Sequence, residues 1–181
     1  MKRITALLAI FTFTFCIFSP LPASPQEKPV TCNWEVYFSP HGSCTDAIIK
    51  ELNKAKSTVL VQAYSFTSAP IAKALLNAHK RGVKVEVILD KSQRTDKYSS
   101  ATFLFNAGIP TKIDSKHAIA HNKVMVIDGE TVITGSFNFT KAAEEKNAEN
   151  LLIIKSKELA SQYLMNWSKH KNHSDPYSGR E

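Results

Sequence analysis

Residues 121–138 read HNKVMVIDGETVITGSFN. Two runs of apolar and β-branched residues, 123–127 and 131–134, flank the dipeptide Asp128-Gly129. Asp-Gly between two such runs is a strong signal for a β-hairpin, because both residues tolerate the left-handed backbone of a tight turn. We therefore predict two adjacent antiparallel strands in this part of the chain.

The segments around this hairpin alternate between strand and helix patterns. Apolar and β-branched runs predict strands at residues 34–38, 58–64 and 83–89. Apolar residues at helical spacing predict helices at residues 69–80 and 157–169. Two strand–helix units followed by further strands indicate an α/β domain with a mixed β-sheet flanked by helices.

Length and composition agree with one domain of this kind. The chain has 181 residues, of which 43% are hydrophobic and 22% charged, a globular composition that excludes a disordered or fibrous protein. We assign the domain to residues 32–170 and a polar tail to residues 171–181. The formal net charge of +7 fits an anionic partner such as nucleic acid or anionic lipid, and it fits solubility alone equally well.

Residues 1–23 have the layout of a secretory signal peptide. Lys2 and Arg3 precede an apolar run, and small residues with prolines follow up to Ala23, the expected cleavage position. The run is shorter than the roughly 20 residues of a membrane-spanning helix, although retention as an anchor stays open. We expect a protein exported to the periplasm or the medium, with residues 24–31 as a linker and no stable membrane partner unless the signal is retained.

Two cysteines, Cys32 and Cys44, remain after removal of the signal segment, which contains Cys16. An even pair in an exported protein predicts a disulfide. It would tie the start of the first strand to the start of the first helix. Two cysteines without nearby ligand partners do not indicate a zinc site.

The predicted hairpin also gathers polar side chains with a common chemistry. If Ile127 lies opposite Glu130, then Lys123 faces Thr134 and His121 faces Ser136, with cross-strand Cβ atoms about 5 Å apart. Asn138 lies two residues beyond Ser136, so it projects from the same face. An imidazole, an ammonium, a hydroxyl and an amide on one face suit a phosphate group. Each fragment alone is ordinary, but the joint spacing is specific.

This spacing resembles the full signature of the phospholipase D superfamily, in its small exported bacterial nuclease branch with one motif per chain. The residues that carry the resemblance are His121, Lys123, Asp128, Gly135, Ser136 and Asn138. The resemblance implies that His121 attacks phosphorus and forms a phosphohistidine. It implies that Lys123 and Asn138 bind phosphoryl oxygens with support from Ser136, and that Glu149 orients the histidine. Asp128 belongs to the signature, either as a catalytic residue or as a turn residue with a structural role.

The resemblance further implies a phospholipase D-like half-unit that forms a homodimer, with both motifs at the two-fold axis. The function that we expect is metal-independent phosphodiester hydrolysis, foremost by a non-specific endonuclease that cleaves DNA and also accepts RNA. A lipid hydrolase that uses the same residues is the first alternative. A non-catalytic nucleic-acid-binding protein is the second, and the complete signature argues against it.

The remaining histidines form no pattern of their own. His117 is expected in an exposed loop or at the entrance of the site. His170 and His173 lie in the Lys-rich C-terminal region, where a surface position is expected rather than metal binding. The sequence offers no carboxylate cluster suited to Mg²⁺, so we predict no metal and no cofactor.

Overall fold

The computed structural model describes residues 32–180, so the predicted signal segment and the predicted linker, residues 24–31, lie outside the described residues. The strands are β1 (Asn33–Ser39), β2 (Thr58–Ala63), β3 (Lys84–Asp90), β4 (Thr111–Asp114), β5 (Lys123–Ile127), β6 (Thr131–Gly135), β7 (Glu149–Lys155) and β8 (Asp175–Pro176). The α-helices are α1 (Cys44–Lys54), α2 (Ala69–Lys80), α3 (Ala101–Asn106), α4 (Lys141–Glu145) and α5 (Lys157–His173). Among residues 32–180 there is one 3₁₀ helix, Lys91–Arg94, which directly follows β3.

The strands form one eight-stranded mixed sheet in the order β1-β7-β6-β5-β2-β3-β4-β8. The pairs β2–β3 and β3–β4 are parallel, as expected when helices connect successive strands. The pairs β2–β5, β5–β6, β6–β7 and β1–β7 are antiparallel. The predicted fold class, a mixed sheet flanked by helices, is therefore confirmed. The hairpin β5–β6 occupies the middle of the sheet.

Apolar side chains cover both faces of this sheet. On one face, α1 and α2 bury a large core through residues such as Ile48, Leu52, Ile71 and Leu75. On the other face, α5 packs against a smaller apolar cluster of the central strands around Val126. Among residues 32–180, no helix is both long and apolar enough to cross a membrane.

The C-terminal region differs from the predicted polar tail. Helix α5 continues to His173, and the short strand β8 adds to the sheet beside β4. Tyr177 is buried, and its backbone N–H donates to the Thr111 carbonyl over 2.9 Å. Polar composition concealed this ordering, because the segment is held mainly by backbone pairing and a single aromatic ring.

The predicted disulfide is not formed, since Cys32 and Cys44 are both free thiols. Cys44 lies fully buried at the start of α1, where burial raises the pKa of its thiol to about 11. Cys32 is exposed just before β1, at the edge of the sheet. The pairing predicted from cysteine number and export is therefore wrong for this structure: one thiol belongs to the core and the other to the surface.

Candidate active site

A pocket of about 350 Å³ lies at one end of the central strands. It is lined by His121, Lys123, Gly135, Ser136, Asn138 and Glu149. Four of these residues, His121, Lys123, Ser136 and Asn138, are those that the sequence pattern selected for phosphate chemistry. Gly135 belongs to the same signature, and Glu149 is the residue that the resemblance implied. Of the predicted site residues, only Asp128 lies outside the pocket.

Two phenylalanines fix the segment that follows β6. Phe137 and Phe139 are fully buried, so the residues between and before them, Ser136 and Asn138, are turned to the pocket. The Phe139 carbonyl also accepts hydrogen bonds from the backbone N–H groups of Thr67 (3.0 Å) and Ser68 (2.9 Å). The alternation of apolar and polar residues thus places a hydroxyl and an amide at the site.

Gly135 is required by a close approach between β6 and β7. Its φ is +143°, and an added Cβ would lie 2.3 Å from the Asn150 carbonyl oxygen. Asn150 also holds Ser136: its carbonyl accepts from the Ser136 N–H over 3.1 Å, and its own N–H donates to the Ser136 hydroxyl over 3.0 Å. The hydroxyl of Ser136 is therefore fixed by backbone contacts before any ligand arrives.

Lys123 places its charge in a largely buried position. Only 7% of the residue is exposed, and its Nζ donates to the His121 carbonyl over 2.9 Å. The Nζ also lies 5.1 Å from the centre of the Tyr64 ring, within the range of a cation–π contact. Burial lowers the pKa of Lys123, and the negative charge of Glu149 partly opposes this effect. The ammonium is thus poorly solvated, which strengthens its attraction for an anion in the pocket.

His121 is exposed and packs its ring against Tyr64, with the ring centres 4.6 Å apart. Within residues 32–180 its imidazole nitrogens have no hydrogen-bond partner, so both are open to a ligand. Glu149 lines the same pocket, but its carboxylate accepts a hydrogen bond from the Asn147 side chain over 3.0 Å. The structure therefore brings Glu149 to the site without the direct hydrogen bond to His121 that an orienting role requires.

Asn138 has a side-chain oxygen that is buried and lacks a partner among the described residues. An unsatisfied buried acceptor costs roughly 1–3 kcal/mol. Such a group is expected where a ligand or a water completes the hydrogen bonding. Asn138 is one of the residues that line the pocket, so its unsatisfied amide oxygen supports the pocket as a binding site.

The register of the hairpin corrects the predicted pairing. Ile127 lies opposite Thr131, not Glu130, so the loop contains three residues in place of two. Asp128 and Gly129 both have positive φ, 55° and 66°. The ladder ends at Met125–Ile133, short of the motif residues. The predicted facing pairs, Lys123 with Thr134 and His121 with Ser136, were therefore wrong, and the site is assembled instead by segments that leave the ladder.

Asp128 fixes the tip of the hairpin to the segment before β2. Its carboxylate accepts hydrogen bonds from the N–H groups of Lys56 (2.9 Å), Ser57 (2.8 Å) and Thr58 (3.0 Å). The Ser57 hydroxyl donates a further bond over 2.9 Å. Burial would raise the pKa of Asp128, but these hydrogen bonds outweigh it and lower the pKa. The position of Asp128 at the opposite end of β5 from His121 assigns it a structural role.

Replacing Asp128 by asparagine should destabilise the fold by about 2–3 kcal/mol, because an amide oxygen cannot serve several backbone donors as a carboxylate does. Asparagine keeps the tolerance for the positive φ at this position. The folded-state pKa of Asp128 is lowered, so its stabilisation is complete above the usual value of 3.8 and is lost as the pH falls through the lowered pKa. Urea unfolding of both proteins between pH 7 and pH 3 measures this difference.

The matched control is Asp46→Asn on α1, whose side chain is exposed. We expect it to change stability by less than about 1 kcal/mol. Equal unfolding curves for Asp128→Asn and the unaltered protein at pH 7 would contradict the structural role.

Sequence reasoning missed several residues that shape the site. Tyr64 contacts both His121 and Lys123 through its ring. It directly follows β2, which pairs with β5 at Ala63–Lys123, and this neighbour could have been found only by knowing the strand order. Asn150 was missed for the same reason.

A second group, Asp114, His117, His170 and His173, forms a separate cluster.

One pocket of this α/β domain contains an imidazole, a buried ammonium and neutral hydrogen-bonding groups. These groups place the protein in the class of phosphoryl-binding proteins. The family described as cardiolipin synthase, PLD-like domain, matches residues 48–170. The chain belongs to the phospholipase D superfamily and is a phosphodiesterase of that superfamily.

The similar proteins include two named for lipid hydrolysis and one named as a phospholipase D family member. A phospholipase D of Rickettsia conorii is 48% identical over 142 residues, which are 78% of this chain and 68% of that protein. A mitochondrial cardiolipin hydrolase of Danio rerio is 32% identical over 156 residues, 84% of this chain and 66% of that protein. The crystal structure of Nuc, a phospholipase D family member from Salmonella typhimurium, matches with a TM-score of 0.79 and 40% identity, over 83% of this chain and all of Nuc.

Proposed function

We propose that this protein is an endonuclease that cleaves DNA, and also RNA, without a metal ion in the reaction. The observation that carries the proposal is the pocket itself, in which His121 stands exposed beside the buried charge of Lys123 and the unpaired oxygen of Asn138. A nucleophile, a fixed positive charge and neutral hydrogen-bonding groups are three of the components that a two-step displacement at phosphorus requires.

In the first step, a neutral His121 nitrogen attacks phosphorus and a P–N bond forms. The P–O bond to the leaving nucleotide breaks, and that oxygen takes a proton from a general acid. In the second step the same acid, now a base, takes a proton from water. The resulting hydroxide displaces the imidazole, which restores His121 and releases a phosphomonoester.

The phosphoryl oxygens are held by the other pocket residues. Lys123 supplies a charge that water screens poorly, because the side chain is buried. Ser136 and Asn138 lie in the same pocket with their backbones fixed by β7 and by the buried phenylalanines. Positioning of this kind favours the crowded, more highly charged transition state over the ground state.

The general acid has no evident source within one chain. His121 is the only histidine of the pocket lining, and it is already used as the nucleophile. Glu149 is engaged by Asn147, and Lys123 by the His121 carbonyl. We therefore include in the proposal a homodimer in which a second His121, from the partner subunit, supplies the proton.

The residue types of the pocket lining support nucleic acid as the substrate. Apart from Gly135, every residue of the lining is polar or charged. The lining therefore contains no large aliphatic side chain that could hold the acyl chain of a lipid. The positive charge of the chain, +7 in total, also favours association with a polyanion.

Lipid hydrolysis is the second candidate, and similarity to the phospholipase D of Rickettsia conorii favours it. One assay set separates the two candidates: plasmid DNA, RNA, and vesicles of phosphatidylcholine with cardiolipin, each with EDTA at a temperature well below unfolding. We expect cleavage of both nucleic acids and no lipid turnover. Lipid turnover without nucleic-acid cleavage would refute the nuclease proposal.

A further inference from the structure

A histidine cluster lies at the end of the sheet formed by β4 and β8, apart from the pocket. It consists of Asp114 at the end of β4, His117 in the segment that follows, and His170 and His173 in the last turn of α5. The cluster shares no residue with the pocket lining. Neither composition nor chain spacing predicted it, because its members lie up to 59 residues apart.

The geometry of the cluster converges on one carboxylate oxygen. The Oδ2 atom of Asp114 lies 2.6 Å from His170 Nδ1, 3.2 Å from His173 Nε2 and 3.2 Å from His117 Nδ1. Asp114 is fully buried, whereas the histidine rings are partly accessible from solvent. The ring centres are 4.9 to 5.2 Å apart. Three imidazoles from two chain segments thus gather around a single anionic atom.

These distances approach those of a tetrahedral metal site. Bonds of about 2.0–2.1 Å to nitrogen and oxygen place tetrahedral ligand atoms about 3.4 Å apart. The four candidate ligand atoms all lie within 4.8 Å of one another, so the set closes on an ion with side-chain adjustments of about 1.4 Å or less. Rotation of the exposed His117 ring is one such adjustment.

We propose that Asp114, His117, His170 and His173 bind one divalent transition-metal ion, with Zn²⁺ as the best match. Three imidazole nitrogens and one carboxylate oxygen suit Zn²⁺ and its neighbours, whereas Mg²⁺ and Ca²⁺ require mostly oxygen ligands. The single carboxylate leaves a net charge of +1 on the bound site. Four protein ligands fill the coordination sphere, as in a structural zinc site.

The ion would join three parts of the fold. It connects the end of β4, the C-terminal turn of α5 and the segment that leads from His117 to His121. That segment is already held at two further points. Lys91 Nζ donates to the His117 carbonyl over 3.2 Å, and the Ala120 N–H donates to the Asp90 carboxylate over 2.7 Å. The bound metal would therefore restrict the movement of the segment that leads to His121 in the pocket. It would take no part in the reaction.

The surrounding charges fit an occupied site. Lys112 donates its Nζ to the carbonyls of Lys171 (2.9 Å) and Ser174 (3.0 Å) at the end of α5. The Lys171 ammonium is paired with Glu86. Asp175 accepts a hydrogen bond from the Ser115 hydroxyl over 3.2 Å. Among the described residues, the Asp114 carboxylate pairs with the three histidines and with no lysine ammonium, so no lysine neutralises its negative charge.

The test uses the full chain, stripped with a chelator and then titrated with Zn²⁺ by calorimetry, with Co²⁺ as a spectroscopic substitute. We expect one ion per chain, visible absorption bands of tetrahedral Co²⁺, and a rise in melting temperature of about 5–10 °C at a hundredfold excess over Kd. His117→Ala, at an exposed position, should weaken binding by about 100-fold or more. His79→Ala on α2 is the matched control and should bind as the unaltered chain does.

Two results would overturn the metal site: no stoichiometric binding, or binding that His117→Ala and a second variant, His173→Asn, leave unchanged. Neither measurement involves phosphodiester cleavage, so the test of the metal site is independent of the proposed nuclease activity. Conversely, loss of cleavage in EDTA at low temperature would count against the metal-independent mechanism and leave the site itself intact.

Discussion

Replacing His121 by alanine is expected to lower phosphodiester cleavage by roughly 10⁴- to 10⁶-fold, because the variant cannot form the covalent intermediate. Binding of nucleic acid should change little, since Lys123 and Asn138 remain in the pocket. The loss should therefore appear in kcat, with KM nearly unaltered. Single-turnover cleavage of a labelled oligonucleotide measures the chemical step directly.

The control for this variant is His79→Ala, which removes a histidine from α2, outside both the pocket and the histidine cluster. It should retain full activity. A second readout is an acid-labile covalent adduct of the labelled oligonucleotide with the protein, trapped by rapid quenching in a non-acidic denaturant, which the unaltered chain should show and His121→Ala should not. Cleavage by His121→Ala at the normal rate would eliminate His121 as the nucleophile.

Mixed dimers of one unaltered subunit and one His121→Ala subunit should be almost inactive. If the partner's His121 donates the proton, a dimer of one unaltered chain and one His121→Ala chain retains a nucleophile but lacks the acid. General acid catalysis contributes about 10²- to 10⁴-fold, and a loss of that size is expected from the mixed dimer. Two different affinity tags on co-expressed chains allow purification of mixed dimers alone.

Mixed dimers that carry His79→Ala in one subunit provide the comparison and should be fully active. A mixed His121→Ala dimer with half of the normal activity would show that each chain works alone, and the shared site would be abandoned. Sedimentation at the assay concentration establishes that the species measured is a dimer. This experiment separates the dimer proposal from the role of His121 itself, which either outcome leaves in place.

The fold was predictable where local pattern and tertiary structure agree. Apolar periodicity located α2, and the β-branched run at residues 58–64 located β2, because most apolar residues of both patterns are buried in the core. Strand β8 was not predictable, since it contains only Asp175 and Pro176 and depends on pairing with β4. Strand order was equally hidden, because it is decided by contacts between residues distant along the chain.

The members of the site were predictable, but their arrangement was not. The signature selected His121, Lys123 and Asn138, and all three line one pocket. The hairpin loop proved one residue longer than the pattern indicated, and such a shift exchanges the two faces of a strand. The site survives this error because the motif residues lie at the end of the ladder, where β2 and β7 place them as much as the hairpin does.

Charge and composition concealed the histidine cluster. His170 and His173 are three residues apart in a Lys-rich stretch, which reads as a solvated helix end. The other two members of the cluster, Asp114 and His117, lie much earlier in the sequence. Only the packing of α5 against the sheet brings these groups together. The prediction of no metal rested on the lack of a carboxylate cluster in the sequence, and such reasoning cannot detect side chains that only tertiary contacts bring together.

The place of β1 at the sheet edge has a consequence for synthesis of the chain. Among residues 32–180, β1 pairs with β7 alone, and the Ser39 hydroxyl donates to the carbonyl of Asn147, 108 residues later. A ribosome that adds about 5–20 residues per second leaves β1 without its partner for on the order of 5–20 s. During this interval Trp34 and Phe38, which stay largely exposed even in the folded domain, present an unpaired apolar strand. The nascent chain therefore has a defined period in which a chaperone would be most effective.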